Sequence, residues 1–362
     1  MEIYLLVLGL IIFLSILIET GKQAQVRCVF VIRGREYSVA PLNSLWILIA
    51  AVFVVFGGIR YGIGDDYFGY RMMFEDLCAN WNDPARAGTE QGFVWLNRLL
   101  SLYTQNADWL IFVTNAIISL AGVWCIRRFS KFPPVSLFIF FTTIYYQGFN
   151  LVRQGMAAAM IFLAFGYIRE RNWIRGLFWT ILAFYFHKTS LIMLPLFLMM
   201  SLHYNPVFYL LYFVVSCACF LLKENISDLL LTFYPYAARD GADYMYGSMS
   251  PTQIALSGIY LALSLVYYKP LLQRDKRNIF YINFTILMFG LYSCFYWVPM
   301  WGRLQLYFIC LYALIIPEIV SCEEDKRLRA LYYLVIWGLL IFFYIVPMAL
   351  YGVTWPYRSL FG

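Results

Sequence analysis

The sequence predicts an all-α polytopic membrane protein of about 10–12 transmembrane helices. Some of these helices are expected to be short or re-entrant, with outward-facing loops and an interfacial amphipathic helix. Three observations carry that reading. The 362 residues are 62% hydrophobic and 20% aromatic but only 13% charged, with mean hydropathy +0.70, too little polar surface for a soluble domain. Apolar runs of roughly 15–20 residues recur along the whole chain, which is the signature of bilayer-spanning helices. They are too continuous for the alternating pattern of a membrane barrel. Finally, basic residues collect in alternate loops, as expected of a multi-pass protein.

In order, the expected spans are residues 3–18, 42–59, 109–126, 134–148, 154–168, 174–186, 189–202, 206–222, 252–268, 279–297, 304–320 and 331–348. The first reads as a retained span, not a cleaved signal, because Glu2 stands where a basic segment would be and no A-x-A site follows. Of the 27 lysines and arginines, seventeen lie in the loops holding Lys22–Arg35, Arg127–Lys131, Arg169–Arg175, Lys269–Arg277 and Lys326–Arg329. Those loops should face the cytoplasm, which turns both termini outward. Residues 174–202 admit one long helix, two short segments joined near His187-Lys188, or a re-entrant hairpin entering from the cytoplasm; only the last two keep the downstream basic loops inside. The break "QGFNLVRQG" poses the same choice for residues 134–168.

The expected outward loops are uneven. Residues 60–108 form a large one and 223–251 a second. Within the first, "EQGFVWLNRLLSLY" is apolar at helical spacing from Phe93, which predicts a helix lying on the membrane face. No internal repeat, linker or low-complexity segment divides the chain, so residues 1–362 read as a single membrane domain. The net charge of +7 is explained by orientation, not by nucleic acid. The eight cysteines show no CxxC or Cys/His spacing, so neither a metal site nor a disulfide framework is indicated.

The stretch "FGGIRYGIGDDYFGYRMMFE" interrupts this apolar chain at the end of the second span. A charge at the hydrocarbon boundary is costly unless paired or facing a cavity. On the expected outward side such charges are few: Arg60, Asp65, Asp66, Arg71, Arg153, His187, Lys188, Arg303 and Arg358. Singly, each has an ordinary explanation. Arginines snorkel to headgroups, an aspartate caps a helix or pairs with an arginine, and tyrosines and tryptophans form an interfacial belt. The run Gly155, Ala157, Ala158, Ala159 is most simply a close helix-packing face. Together, isolated cations beside a carboxylate pair and one histidine indicate an outward-facing cavity. Arginine suits a diphosphate because its planar fork holds two oxygens. Asp66, Tyr67, Tyr70, Glu90, Asn150, Gln154 and Trp301 offer the carboxylates, amides and flat rings that a sugar needs.

These residues also carry a resemblance. Arg60-Tyr61 followed by Gly64-Asp65-Asp66-Tyr67, Tyr70 and Phe74, then "EQGF", "VRQGMAAAM", "FYFHKTSLIMLP", "WGRLQLYF" and the tail "WPYRSLFG" resemble, in order and spacing, the EpsG family of exopolysaccharide proteins, a branch of the Wzy-type polysaccharide polymerases. The likeness runs across nearly the whole chain. It implies an enzyme of the bacterial inner membrane that moves a growing glycan from undecaprenyl diphosphate onto the non-reducing end of the next lipid-linked repeat unit, on the outer face. It implies no cofactor and no metal. The expected partners are undecaprenyl-diphosphate-linked oligosaccharides and the bilayer, with a flippase and chain-length regulators as candidate protein partners.

For that chemistry the residues divide into roles. Arg60, Arg153 and Arg303 are the expected diphosphate ligands. His187 has the pKa range of a general base, with Asp66 and Glu90 as rivals. Tyr67, Tyr70, Asn150, Gln154 and Trp301 are the expected sugar contacts. Two other readings stay open at this stage: a glycosyltransferase using a polyprenyl-phosphate sugar, with Asp65 or Asp66 as its acidic residue, and a lipid-linked oligosaccharide flippase or other transporter. Also open is whether Asp65 and Asp66 touch substrate or only hold Arg60 and Arg71 in place.

Overall fold

The computed structural model describes residues 2–23, 28–32, 35–39, 41–80, 89–233, 251–298, 301–346 and 357–361. The expected spans correspond to helices or broken helical pieces: α1 (Glu2–Gln23), α2 (Pro41–Gly58), and, after two helices of the first large loop, α3 (Tyr67–Ala79) and α4 (Gln91–Ser101), α5 (Asp108–Phe129) and α6 (Pro133–Phe140). A π-helical turn, Phe141–Tyr145, extends α6 before α7 (Val152–Arg169), α8 (Trp173–Phe186), a 3₁₀ turn at Lys188–Ile192, α9 (Met193–Ser201) and α10 (Pro206–Leu221). Then come α11 (Lys223–Phe233), α12 (Pro251–Val266), α13 (Tyr268–Arg274) and α14 (Ile279–Cys294). The next span is broken into α15 (Trp301–Leu304), α16 (Leu306–Ile309) and α17 (Tyr312–Ser321), and α18 (Lys326–Leu340) runs into a π turn, Ile341–Ile345. The chain is therefore an all-α multi-pass membrane protein.

Among the described residues, four helical stretches are long and apolar enough to cross a bilayer alone: Glu2–Lys22, Asp108–Phe129, Trp301–Ser321 and Lys326–Ile345. Two bent pairs raise this to six: Pro206–Leu221 with Lys223–Leu229, bent by 78°, and Pro251–Val266 with Tyr268–Arg274, bent by 64°. The other apolar helices are shorter, among them Trp173–Phe186 and Lys188–Ser201. The stretch 174–202 is thus two segments, broken where His187 turns to extended backbone. The helix expected from Phe93 onward is α4, with Phe93, Val94 and Asn97 buried. An unforeseen element is a small antiparallel hairpin between α1 and α2, pairing Cys28–Ile32 with Arg35–Val39; the reading above assigned these residues only to a basic loop. Of the second large loop, residues 234–250 lie outside the described residues.

Helix α7 is the axis of the molecule. Every residue in it is buried except its two arginines, Arg153 and Arg169. Its glycines and alanines let α5, α8 and the α6–α7 turn pack closely, as small residues do in membrane bundles. By contrast α10 buries only Ser216 and exposes Leu210, Leu211, Val214 and Val215, an apolar face suited to lipid.

Contacts between loops fix which segments share a face. On one face, Tyr61 donates its amide to the Arg358 carbonyl, Asp66 to the Asn150 side chain, and Arg153 pairs with Glu90. Gln154 donates to the Arg303 carbonyl and Tyr307 meets His187. On the opposite face, Arg128 pairs with Glu170, Arg169 with Asp275, and Arg171 donates to the Ser201 carbonyl.

Candidate active site

The site assembles at the N-terminal end of α7. Arg153, the second residue of that helix, forms a charge-assisted pair with Glu90 at the N-cap of α4 and lies within hydrogen-bonding reach of the Tyr70 hydroxyl on α3. Burial pushes the Tyr70 phenol up, and Arg153 partly offsets this. The close approach of Glu90 depends on Gly92: a Cβ there would lie 2.8 Å from the Tyr185 carbonyl oxygen, near the end of α8. Thus the glycine of "EQGF" lets the start of α4 sit against the segment that carries His187.

His187 stands in the break after α8, half-buried. Its Nδ1 lies 2.8 Å from the Thr189 hydroxyl and 3.1 Å from the Tyr307 hydroxyl. Burial drives the imidazole down to about 4; Glu90 opposes the shift, and Arg153 and Arg303 add to it. His187 is therefore neutral at physiological pH, the form that accepts a proton. Arg303 is exposed at the rim and forms no ion pair among the described residues; its carbonyl is tied down by the Gln154 amide. Gln154 itself is buried, and its Oε1 has no hydrogen-bond partner among the described residues.

The opening stretch divides in two. Asp65 and Asp66 are exposed. Asp66 precedes α3, its backbone N–H donates to the Asn150 Oδ1 at 3.0 Å, and its charge acts on Tyr70. Gly64 makes this contact possible: at φ +96° it approaches Phe149, and a Cβ would lie 2.9 Å from that carbonyl oxygen. Neither aspartate forms an ion pair among the described residues; Arg71 instead pairs with Asp108. Asp65 and Asp66 therefore do not hold the arginines in place.

Arg60 differs from the other expected diphosphate ligands. It is 1% exposed, its guanidinium 4.6 Å from the Phe149 ring centre and bonded to the Gly57 carbonyl. The rings of Tyr4, Tyr67, Tyr145 and Tyr357 surround it. Burial pushes it down to about 10, against the raising effect of those tyrosines. The chain tail closes over it: Leu360 donates its amide to the Ile59 carbonyl at 2.9 Å, and Tyr357 stacks on Phe56 with centroids 4.5 Å apart. An arginine sealed in this way braces the end of α2 against the tail. Tyr67, fully buried with its hydroxyl on the Arg60 carbonyl at 3.2 Å, belongs to the same brace. Trp301 is also core, edge-on to Tyr292 at 5.6 Å.

The structure thus brings together Glu90, Arg153, Gln154, His187 and Arg303, with Tyr70 behind them and Asp66 and Asn150 beside Tyr70. It separates out Arg60, Tyr67 and Trp301. Sequence reasoning missed Thr189 and Tyr307; the available signal was their place inside "FHKTS" and "GRLQLY", beside residues already singled out. Among the described residues, no group of three or more His, Cys, Asp or Glu side chains is placed to hold a metal ion.

A model of the EpsG family matches residues 43–359. The chain belongs to the EpsG family. No curated protein and no solved structure matches it. Every residue of the cluster falls inside the matched span, and EpsG membership points to a polysaccharide polymerase of the glycosyltransferase type.

Proposed function

We propose that this EpsG protein is a membrane polysaccharide polymerase, transferring a growing glycan from undecaprenyl diphosphate to the non-reducing end of another lipid-linked repeat unit. The reaction would take place on the outer face of the bacterial inner membrane. The observation that carries the reading is the convergence of Arg153, Glu90, neutral His187 and Arg303, which has no ion pair among the described residues, on one face, opposite the basic loops. The positive-inside rule makes the basic face cytoplasmic.

In this reading Arg303 and Arg153 hold the diphosphate. The acceptor hydroxyl gives its proton to His187 as its oxygen bonds to the anomeric carbon. The bond from that carbon to the diphosphate breaks, and the departing lipid diphosphate keeps the electron pair. Cations aimed at that developing charge are the main catalytic asset, because the leaving group is already good. Incoming diphosphate also neutralises the charges that depress His187, so the imidazole becomes a stronger base as substrate binds. Glu90 then shares the developing imidazolium charge. Asp66 and Asn150, at the same rim, are candidate sugar contacts. Arg60 is reassigned from substrate to the structural brace.

One observation favours a second reading. Exposed Asp65 and Asp66 in the first outward segment would suit a glycosyltransferase using a polyprenyl-phosphate sugar. A gene deletion scored on polysaccharide gels and on extracted lipids separates the possibilities. A polymerase predicts loss of the long-chain ladder with accumulation of single lipid-linked units. Loss of the unit itself would indicate the other transferase, and its retention on the cytoplasmic leaflet a flippase. Complementation with Arg153→Lys or His187→Gln should restore inserted protein but not long polymer; normal chain length from both would sink the site assignment.

A further inference from the structure

The His187 imidazole is held on one side only. Nδ1, the Thr189 hydroxyl and the Tyr307 hydroxyl form a closed triangle with sides of 2.8, 3.1 and 3.1 Å. Nε2 makes no hydrogen bond among the described residues. The three corners come from two places in the chain: His187 and Thr189 flank the break after α8, and Tyr307 sits on α16, four residues past Arg303. A triangle of this kind fixes the ring plane. It also biases which nitrogen carries the proton, and the role of the histidine turns on that.

Two proton arrangements satisfy the triangle, and only one leaves the unengaged nitrogen able to accept a proton. Tyr307 is fully buried, so its hydroxyl proton needs an acceptor close by, a corner of the triangle or the neighbouring Gln154 side chain. Thr189 is exposed, so its own proton can go outward to water. A hydroxyl oxygen has two lone pairs, whereas a bare Nδ1 has one. If Nδ1–H and the Tyr307 O–H both donate to the Thr189 oxygen, every donor is satisfied, and the shortest side is the N–H···O bond. With a bare Nδ1, one hydroxyl would donate to its lone pair, and Nε2 would carry the proton and could not act as a base.

We propose that Thr189 and Tyr307 are positioning residues that hold His187 as its Nδ1–H tautomer, leaving Nε2 bare to take the acceptor's proton. The proposal rests on the reading of His187 as the general base. Four charged groups face the ring from its surroundings: Glu90 at the start of α4, Arg153 on α7, Arg303 on α15, and Lys188 beside it in the chain. None of them touches Nδ1, so the triangle sets the tautomer and the charges set only how readily the ring protonates.

The chain has two histidines, which makes a direct test practical. The full-length protein, ¹⁵N-labelled at histidine, carries His203→Gln and is reconstituted in nanodiscs. A single imidazole spectrum then reports His187. At pH 7 the expected pattern is a protonated Nδ1 and a bare Nε2. Thr189→Val and Tyr307→Phe should each mix the two tautomers and lower kcat by roughly tenfold or more with KM little changed, while Thr189→Ser should keep both near wild type. A protonated Nε2 in the parent protein, or a tautomer unmoved by both variants, would overturn the proposal. His187→Gln separates this from the underlying reading. If that variant polymerises normally while the tautomer pattern is as expected, the general-base role fails and the positioning triangle stands.

Discussion

The two arginines of α7 have opposite surroundings, although they cap one buried helix about 24 Å apart. At the C-terminal end Arg169 donates to Asn278 at 2.7 Å, pairs with Asp275 at 3.1 Å and lies 3.9 Å from Glu318. Arg277 shares the same Asp275 oxygen at 2.8 Å, and Asn278 donates on to Glu318 at 3.3 Å. Burial pushes Asp275 up, but the bonds from Arg277 and the charge of Arg169 outweigh it and hold the carboxyl below its usual range. Cations and carboxylates balance there. At the N-terminal end Glu90 answers Arg153, but nothing among the described residues answers Arg303, and His187 is kept neutral beside them. A balanced cluster joins helices. A cluster left one anion short is arranged for a ligand that brings the missing charge.

The largest effect should come from breaking the balanced end. Arg169→Met leaves Asp275 and Glu318 near one another with less cation between them. Glu318 is buried and loses its cation, so the cost should approach that of breaking a buried pair, about 3–5 kcal/mol, reduced by the partial exposure of Arg169 and Asp275, and detergent-solubilised protein should melt lower. Polymer made per folded molecule should stay near wild type. Arg303→Ala should do the reverse. With no ion pair among the described residues to lose, the variant should keep its melting temperature and lose about 10²–10³-fold in turnover, the usual loss when a group that stabilises a leaving charge is removed. If Arg303→Ala unfolds the protein, or Arg169→Met selectively stops the chemistry, the contrast between the two ends is wrong.

A smaller effect tests how the open end is built. Gly92→Ala places a methyl 2.8 Å from the Tyr185 carbonyl oxygen. Backbone cannot yield as a side chain can, so α4 must move off α8 and carry Glu90 with it. Overpacking of this kind costs typically about 1–3 kcal/mol. Here part of that cost should appear as lower turnover, seen by comparing melting temperature with polymer yield. Unchanged turnover beside a lowered melting temperature would mean that Glu90 is not held by this contact.

Helices were far more legible than the site. Long apolar runs predict helices because the bilayer leaves the backbone no other way to satisfy its hydrogen bonds. The hairpin between α1 and α2 escaped notice because its strands are only five residues each, and basic residues around them read first as orientation signals. In the site, Glu90, Arg153 and His187 were recognisable by charge at span ends. Arg60 has the same signature, yet it is sealed under the tail by contacts with residues as far away as Tyr4 and Tyr357. Sequence position alone does not tell a cation facing a cavity from one enclosed by aromatic rings. Thr189 and Tyr307 were hidden for the converse reason: a hydroxyl in a membrane protein rich in tyrosine carries no mark until its partner is placed beside it.

The smallest effect is also the one that isolates electrostatics from shape. His187 is depressed to about 4 chiefly by burial, with Glu90 raising it and Arg153 and Arg303 lowering it. Replacing Glu90 by Gln removes a negative neighbour at nearly constant volume, so the imidazole should become still harder to protonate and its pKa should fall. Replacing Arg153 by Gln removes a positive neighbour, so the pKa should rise towards the ordinary histidine range. The shifts must have opposite signs if both groups act on the ring through their charge. Titration of the His187 ¹⁵N signals in the two variants measures them without requiring turnover. Shifts of the same sign would mean that each change acts by altering the burial of the ring, and the charge arrangement would then lose its part in tuning the base.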